Sequence, residues 1–164
     1  GHSYGAFTAL ALAGLRYDGA DGPEHAVDGR VRCVVVMSPQ GPGQFGQHER
    51  SWDDVCVPVM SLTGTQDRAA RTRDVRERFT AYRRVRVPGQ YLAVIRRANH
   101  YAFSDGPGIG LRPPPRQPHH HHLIQVMTTA FLDAHLSGLD AARVWLTGGA
   151  AAAALAGEVR LMRR

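Results

Sequence analysis

The sequence predicts an α/β fold in one domain over residues 1–164, a mostly parallel sheet flanked by helices, and three observations carry that expectation. Two apolar runs, Arg30 to Met37 and Val57 to Leu62, are nearly continuous in Val, Leu and Met, the pattern of strands covered on both faces of a parallel sheet. Stretches with helical periodicity lie between and after them, above all His119 to Ser137, with Leu123, Ile124, Met127, Phe131, Leu132 and Leu136 at helical spacing. A chain of 164 residues, 43% hydrophobic and 21% charged, holds enough apolar surface for one core and is too short for two ordinary domains.

The elements follow in order. Gly1-His2-Ser3-Tyr4-Gly5 opens into Ala6 to Ala13, a run of strong helix formers with small residues at Ala6, Ala9 and Ala13, stopped by Gly14. This is a short helix built for close packing. Residues 16–29, rich in Gly and Asp and containing Pro23, read as a loop. The strand at Arg30 to Met37 runs into a Pro- and Gly-rich loop, Ser38 to Gly46, long enough to line a site. The strand at Val57 to Leu62 ends in Thr63-Gly64-Thr65-Gln66-Asp67. Arg68 to Tyr82 is charged, with Val75 and Phe79 four apart, and reads as a surface helix with a narrow apolar stripe. Tyr91 to Ile95 is a third strand and leads into Arg96-Arg97-Ala98-Asn99-His100. Gly106 to Pro118 reads as an irregular connection, and Asp140 to Arg164, interrupted by Gly148-Gly149, as a broken C-terminal helix. No internal repeat is present.

Composition narrows the function classes. All 20 basic residues are arginine and give a net charge of +6, but they are scattered and form no stripe interleaved with aromatics, so no nucleic-acid partner is expected. No apolar run is long enough for a membrane span. Cys33 and Cys56 fit neither a Cys-x-x-Cys pair nor a zinc spacing, and buried free thiols are expected. His119 to His122 are consecutive, so on a helix they point in different directions and do not make one metal site.

The chemistry concentrates at three positions. Gly-x-Ser-x-Gly before a helix has the form of a nucleophile elbow, a tight turn that holds a serine hydroxyl out at the sheet's edge. A serine hydroxyl is a poor nucleophile at neutral pH, and it needs a base within hydrogen-bond reach and a carboxylate to orient that base. Asp67 and His100 each follow a predicted strand, at the carboxyl end where open α/β sheets place their sites. Their rivals are less well placed. His25 and His48 precede the acid and His135 lies on the apolar-striped helix, while Asp53 and Asp54 precede their strand and Asp74 sits in the predicted surface helix. Ser3, Asp67 and His100 are therefore the candidate nucleophile, acid and base.

Gly1-His2-Ser3-Tyr4-Gly5, Val34-Val35-Val36-Met37-Ser38-Pro39, Pro58-Val59-Met60 with Gly64-Thr65-Gln66-Asp67-Arg68, and Ala98-Asn99-His100 together resemble the dienelactone-hydrolase and chlorophyllase-like branch of the α/β-hydrolases, related to polyester-cleaving and platelet-activating-factor hydrolases. The likeness runs from residue 1 to about 147. It implies a carboxylic ester hydrolase of the esterase or lipase type, working through an acyl-enzyme on a small-molecule ester, with no metal or organic cofactor. It also implies that the backbone amide of Tyr4 is an oxyanion-hole donor. Loops Ser38 to Phe45 and Tyr101 to Phe103 are the candidate substrate walls, which makes His2, Met37, Phe45, Tyr101 and Phe103 the candidate substrate contacts. In the family, the strand that feeds the elbow and the loop that gives a second oxyanion amide come before the elbow. The chain is therefore expected to be the C-terminal part of such a fold with its N-terminal strands absent. Loss of one oxyanion donor lowers turnover by about 100-fold to 1000-fold, so marginal stability and little turnover are expected of the chain alone, with self-association through the apolar edge of the strand at 30–37. A prolyl-oligopeptidase-like peptidase has the same order of residues and is the enzymatic alternative, and a non-catalytic interaction module is the alternative from another class.

Overall fold

The computed structural model describes residues 1–68, 74–104 and 117–164. Helix α1 (Tyr4–Leu12) buries Ala6, Phe7, Leu10 and Ala11, and Ala13 just beyond it is buried too, so the small residues of the opening run do bring the helix close to its neighbours. Strands β3 (Val34–Met37), β4 (Val59–Gln66), β5 (Gln90–Asn99) and β6 (Val159–Arg163) form one sheet in the order β3-β4-β5-β6. The first two pairings are parallel and the last is antiparallel. The protein is thus a mixed α/β fold with a four-stranded, mostly parallel sheet, and among the described residues no helix is long and apolar enough to cross a membrane.

Alternation along the strands splits the core in two. Val34, Val36 and Val59 face α1 and α2 (Thr80–Arg84), packing with Phe7, Leu10, Trp52, Ala81 and Val85. Met60, Leu62, Tyr91, Ala93 and Ile95 face the other way, onto α3 (Pro118–His135) and α4 (Asp140–Thr147) through Leu123, Met127, Phe131 and Leu146. Each strand face is covered because successive side chains point to opposite sides.

Several expectations are corrected. Residues 16–29 are not all loop, since β1 (Arg16–Gly19) and β2 (Gly22–His25) form an antiparallel hairpin around the two-residue turn Ala20-Asp21. Tyr17 donates its hydroxyl hydrogen to the carboxylate of Glu24 directly across it, at 2.7 Å, a cross-strand pair hidden among turn-forming residues. β3 starts only at Val34, because the Val31 amide closes a turn onto Asp28 O. The segment 74–84 is a 3₁₀ turn (Val75–Phe79) followed by the short α2, and its start is fixed by the Asp74 carboxylate accepting from the Arg76 amide at 2.8 Å. Its inward row is Arg78, Ala81 and Val85 rather than Val75 and Phe79. The C-terminal segment holds α4, α5 (Ala150–Ala154) and then β6, a strand and not a helix end, which pairs Val159 to Arg163 with Ile95 to Tyr91. Cys33 and Cys56 are free, but Cys33 is half-buried and Cys56 exposed, so neither thiol is enclosed in the core. The predicted helix residues 69–73 and the connection at 105–116 lie outside the described residues.

The outer edge of β3 is met by the first residues of the chain. Gly1 donates its nitrogen hydrogen to Val35 O at 2.8 Å, Met37 donates its amide to Gly1 O at 2.9 Å, and Ser3 donates its amide to Met37 O at 2.9 Å. The edge expected to be bare is therefore occupied next to the serine. The opposite edge, β6, carries exposed Arg160 and Arg163, charges that discourage pairing with another chain.

Candidate functional site

Ser3 stands at the turn into α1 with φ 53° and ψ −117°, a left-handed conformation that a side chain adopts only at a cost of about 1–3 kcal/mol. Three hydrogen bonds hold it there: its amide to Met37 O, and its carbonyl to the amides of Ala6 and Phe7. From this turn the hydroxyl reaches His100, which follows the carboxyl end of β5. Gly1 is sterically required in this turn, because a Cβ there would fall 2.1 Å from Gly5 O.

Asp67 and His100 arrive from those two strands. β4 and β5 run in register to Gly64 and Ile95, after which Gln66 pairs with Asn99, so β5 bulges through Arg96 and Arg97. Arg97 takes φ 58° and donates its amide to Thr65 Oγ1 at 2.8 Å, which pins the bulge. A Cβ on Gly64 would lie 2.0 Å from Ala98 O, so only glycine lets the bulged strand cross this close. The crossing carries His100, the first residue of a 3₁₀ turn over His100–Phe103, above Asp67. Asn99 caps that turn, accepting from the Tyr101 amide at 3.0 Å.

The three side chains form one hydrogen-bonded chain. His100 Nδ1 lies 3.0 Å from Asp67 Oδ1 and His100 Nε2 lies 3.1 Å from Ser3 Oγ. An ionised carboxylate only accepts, so the Asp67 contact places the ring proton on Nδ1 and leaves the Nε2 lone pair to accept from the Ser3 hydroxyl. This is the arrangement in which an imidazole can take the serine proton as the oxygen attacks an electrophile. Tyr4 is the first residue of α1, where the backbone N–H groups of the opening turn have no partner within the helix and attract developing negative charge.

The acid is fully buried. Burial alone pushes the Asp67 carboxyl up, but the His100 hydrogen bond, the positive charge of Arg78 and the Thr63 hydroxyl at 2.7 Å outweigh it and hold its pKa below the usual value. Arg78, 1% exposed, places Nε 3.6 Å from Asp67 Oδ1. It donates from Nη1 to Ser38 O at 3.0 Å and to Pro39 O at 3.1 Å. Ser38 is buried with φ 52°, and its Oγ faces the same carboxylate without completing a hydrogen bond.

The structure brings the predicted Ser3, Asp67 and His100 together, with Tyr4 the next residue at the start of α1, and spreads the candidate substrate contacts more widely. His2 stacks at 4.8 Å from the His100 ring and 6.0 Å from Phe103, and burial followed by repulsion from His100 lowers its pKa to about 4, so it is a neutral wall. Met37 packs against the α3-side core and holds Ser3 with its backbone. Phe103 is a core residue, 8% exposed. Tyr101 is exposed, its ring edge-on to His100 at 6.0 Å. Phe45, also exposed and at φ 50°, meets the Tyr4 ring edge-on at 5.0 Å and Phe7 at 5.6 Å, which joins its loop to the face of α1 next to the serine. Ser38 opens the loop expected to line a site, whereas Thr63 and Arg78 are not among the sequence candidates. For Arg78 the available signal was its place in the row 78, 81, 85, where helical spacing puts a guanidinium among inward side chains.

The ring of His119 faces Glu158 at 3.5 Å while His120 Nε2 donates to Arg96 O at 3.1 Å, so neighbouring imidazoles of the four-histidine run diverge. Among the described residues no three His, Cys, Asp or Glu side chains cluster as metal ligands. The chain matches no family model and no curated protein.

Proposed function

We propose that the chain is a serine hydrolase of the α/β-hydrolase type, similar to the dienelactone-hydrolase and chlorophyllase-like branch, that cleaves carboxylic esters through an acyl-enzyme on Ser3. The observation that carries this reading is the unbroken path from Asp67 Oδ1 through both nitrogens of His100 to Ser3 Oγ, with each step near 3 Å. The strained Ser3 backbone at a strand-side turn into a helix, and the parallel order of β3, β4 and β5, support the fold assignment.

In this mechanism His100 Nε2 takes the Ser3 proton as Oγ attacks the ester carbonyl carbon, and the Tyr4 amide donates to the oxygen that becomes negative. Asp67 stabilises the imidazolium through Nδ1. The imidazolium then returns its proton to the leaving alcohol, and a water deprotonated by His100 releases the acid and frees Ser3.

The test is covalent labelling with a fluorophosphonate probe, followed by peptide mapping. Modification of Ser3, abolished in Ser3→Ala and reduced by at least 1000-fold in rate in His100→Ala, is the expected result. Faster release of nitrophenol from short acyl esters than of aniline from peptide anilides identifies the ester as the substrate class. A probe that leaves Ser3 unmodified sinks the proposal.

A further inference from the structure

Position 78 presents a contradiction in energetics. The inward row Arg78, Ala81, Val85 packs against the α1-side face of the sheet, where a Leu or Met at 78 would bury apolar surface without cost. Instead a guanidinium is buried there, and its desolvation is repaid only by excellent geometry. Among the described residues Arg78 Nε has no hydrogen bond, and its close counter-charge is the Asp67 carboxylate at 3.6 Å, with Glu77 acting more weakly. Replacing a buried pair by apolar residues is commonly neutral or stabilising, so stability does not account for Arg78.

What the guanidinium touches accounts for it better. One face holds the acid of the site, and Nη1 holds two successive carbonyls, Ser38 O and Pro39 O, at the start of the loop leaving β3. That strand also holds Ser3 in place through Met37 O. Resting on the hydrolase reading above, we propose that Arg78 is a positioning residue of this site: its guanidinium ties the Asp67 carboxylate to the Ser38–Pro39 backbone, keeping the acid charged and aimed at His100 while fixing the strand end that carries the serine. Among the described residues the groups facing Asp67 are His100 from the end of β5, Thr63 from β4, Ser38 from the loop after β3 and Arg78 itself, and His2 senses its charge. Facing Arg78 are Asp67 and Glu77, and His2 senses its charge from the elbow.

Two substitutions separate the charge from the clamp. Arg78→Gln keeps a donor for the carbonyls and removes the charge; Arg78→Lys keeps the charge and loses the planar fork. The readout is the titration of the Asp67 side-chain carboxyl carbon by NMR in the whole chain, alongside the pH profile of fluorophosphonate labelling. In Arg78→Gln the Asp67 midpoint rises by about one pH unit and the acid side of the labelling profile moves up with it. In Arg78→Lys the midpoint stays with the parent and the labelling rate at neutral pH falls by roughly tenfold, the cost of a loosened first step. An Asp67 midpoint unmoved in Arg78→Gln, or loss of cooperative folding in both variants, overturns the proposal and makes Arg78 a structural clamp. Because the carboxyl titration does not need a reactive serine, a parent protein that never labels at Ser3 counts against the hydrolase reading alone.

Discussion

Asp67 is charged where water does not reach, and the residues that make this tolerable are its own partners. Thr63, His100 and Arg78 each stabilise the ionised form, and together they overcome a burial that by itself favours the neutral acid. Removing the charge with Asp67→Asn therefore does two separable things. It leaves Arg78 buried beside a neutral amide, an unpaired cation expected to cost about 3 kcal/mol of stability in a urea titration. It also replaces the acceptor-only carboxylate that fixes the His100 tautomer with an amide that can donate to Nδ1, and labelling of Ser3 is expected to slow by about 1000-fold to 10,000-fold. An Asp67→Asn protein as stable as the parent would contradict the buried ion pair. Ser3, Asp67 and His100 were legible in the sequence because a motif, a strand end and a chain order mark them. Arg78 was not, since a buried arginine looks the same in sequence as the exposed arginines around it, and only the burial of its row tells them apart.

At the scale of elements, the site depends on the bulge that swings β5 across β4, and the two glycines nearest the chemistry play unequal parts in it. A Cβ on Gly64 would fall 2.0 Å from Ala98 O, whereas a Cβ on Gly5, inside α1, meets nothing within 4 Å. Gly5→Ala is therefore expected to raise stability by about 0.5 kcal/mol through helix propensity, leaving Ser3 labelling unchanged. Gly64→Ala must push the end of β5 away, with a loss of about 2 kcal/mol or more and a collapse of labelling. Thermal denaturation of both variants decides it, and equal effects would mean that the second glycine of the elbow is as constrained as the crossing. The parallel strands and α3 were readable from continuous apolar runs and helical spacing. The β1–β2 hairpin and β6 were not, because both are short and half exposed. The hairpin is decided by cross-strand contacts such as Tyr17 on Glu24, which turn-forming residues mask, and β6 by a partner distant in sequence, Val159 to Arg163 on β5.

For the molecule as a whole, the distribution of its histidines sets how stability responds to acid. His2, His120 and His135 are all shifted down chiefly by burial, His2 to about 4 from 6.5, and His2 and His135 keep buried ring nitrogens without partners. Below pH 6.5 the unfolded chain takes up protons that the folded chain refuses, so their contribution to stability is present above that pH and is lost as pH falls toward their folded values. For His2 the gap between 6.5 and about 4 is worth roughly 3 kcal/mol at full burial, and its partial exposure reduces this to about 2 kcal/mol. The carboxylates held low, Asp67, the half-buried Asp28 and the exposed Asp53, act in a different window: their contribution persists above the unfolded carboxyl value near 4 and disappears only as pH drops below it. Urea midpoints are therefore expected to decline between pH 6.5 and 4.5, before any carboxylate is lost. In His2→Leu, which retains an apolar filler against Phe103, that decline becomes shallower by about 2 kcal/mol across the interval, while His120 and His135 maintain the remainder. Parallel stability curves for the parent and His2→Leu over this range would show that His2 is not held neutral in the folded protein, and with it would go the picture of an uncharged imidazole walling His100.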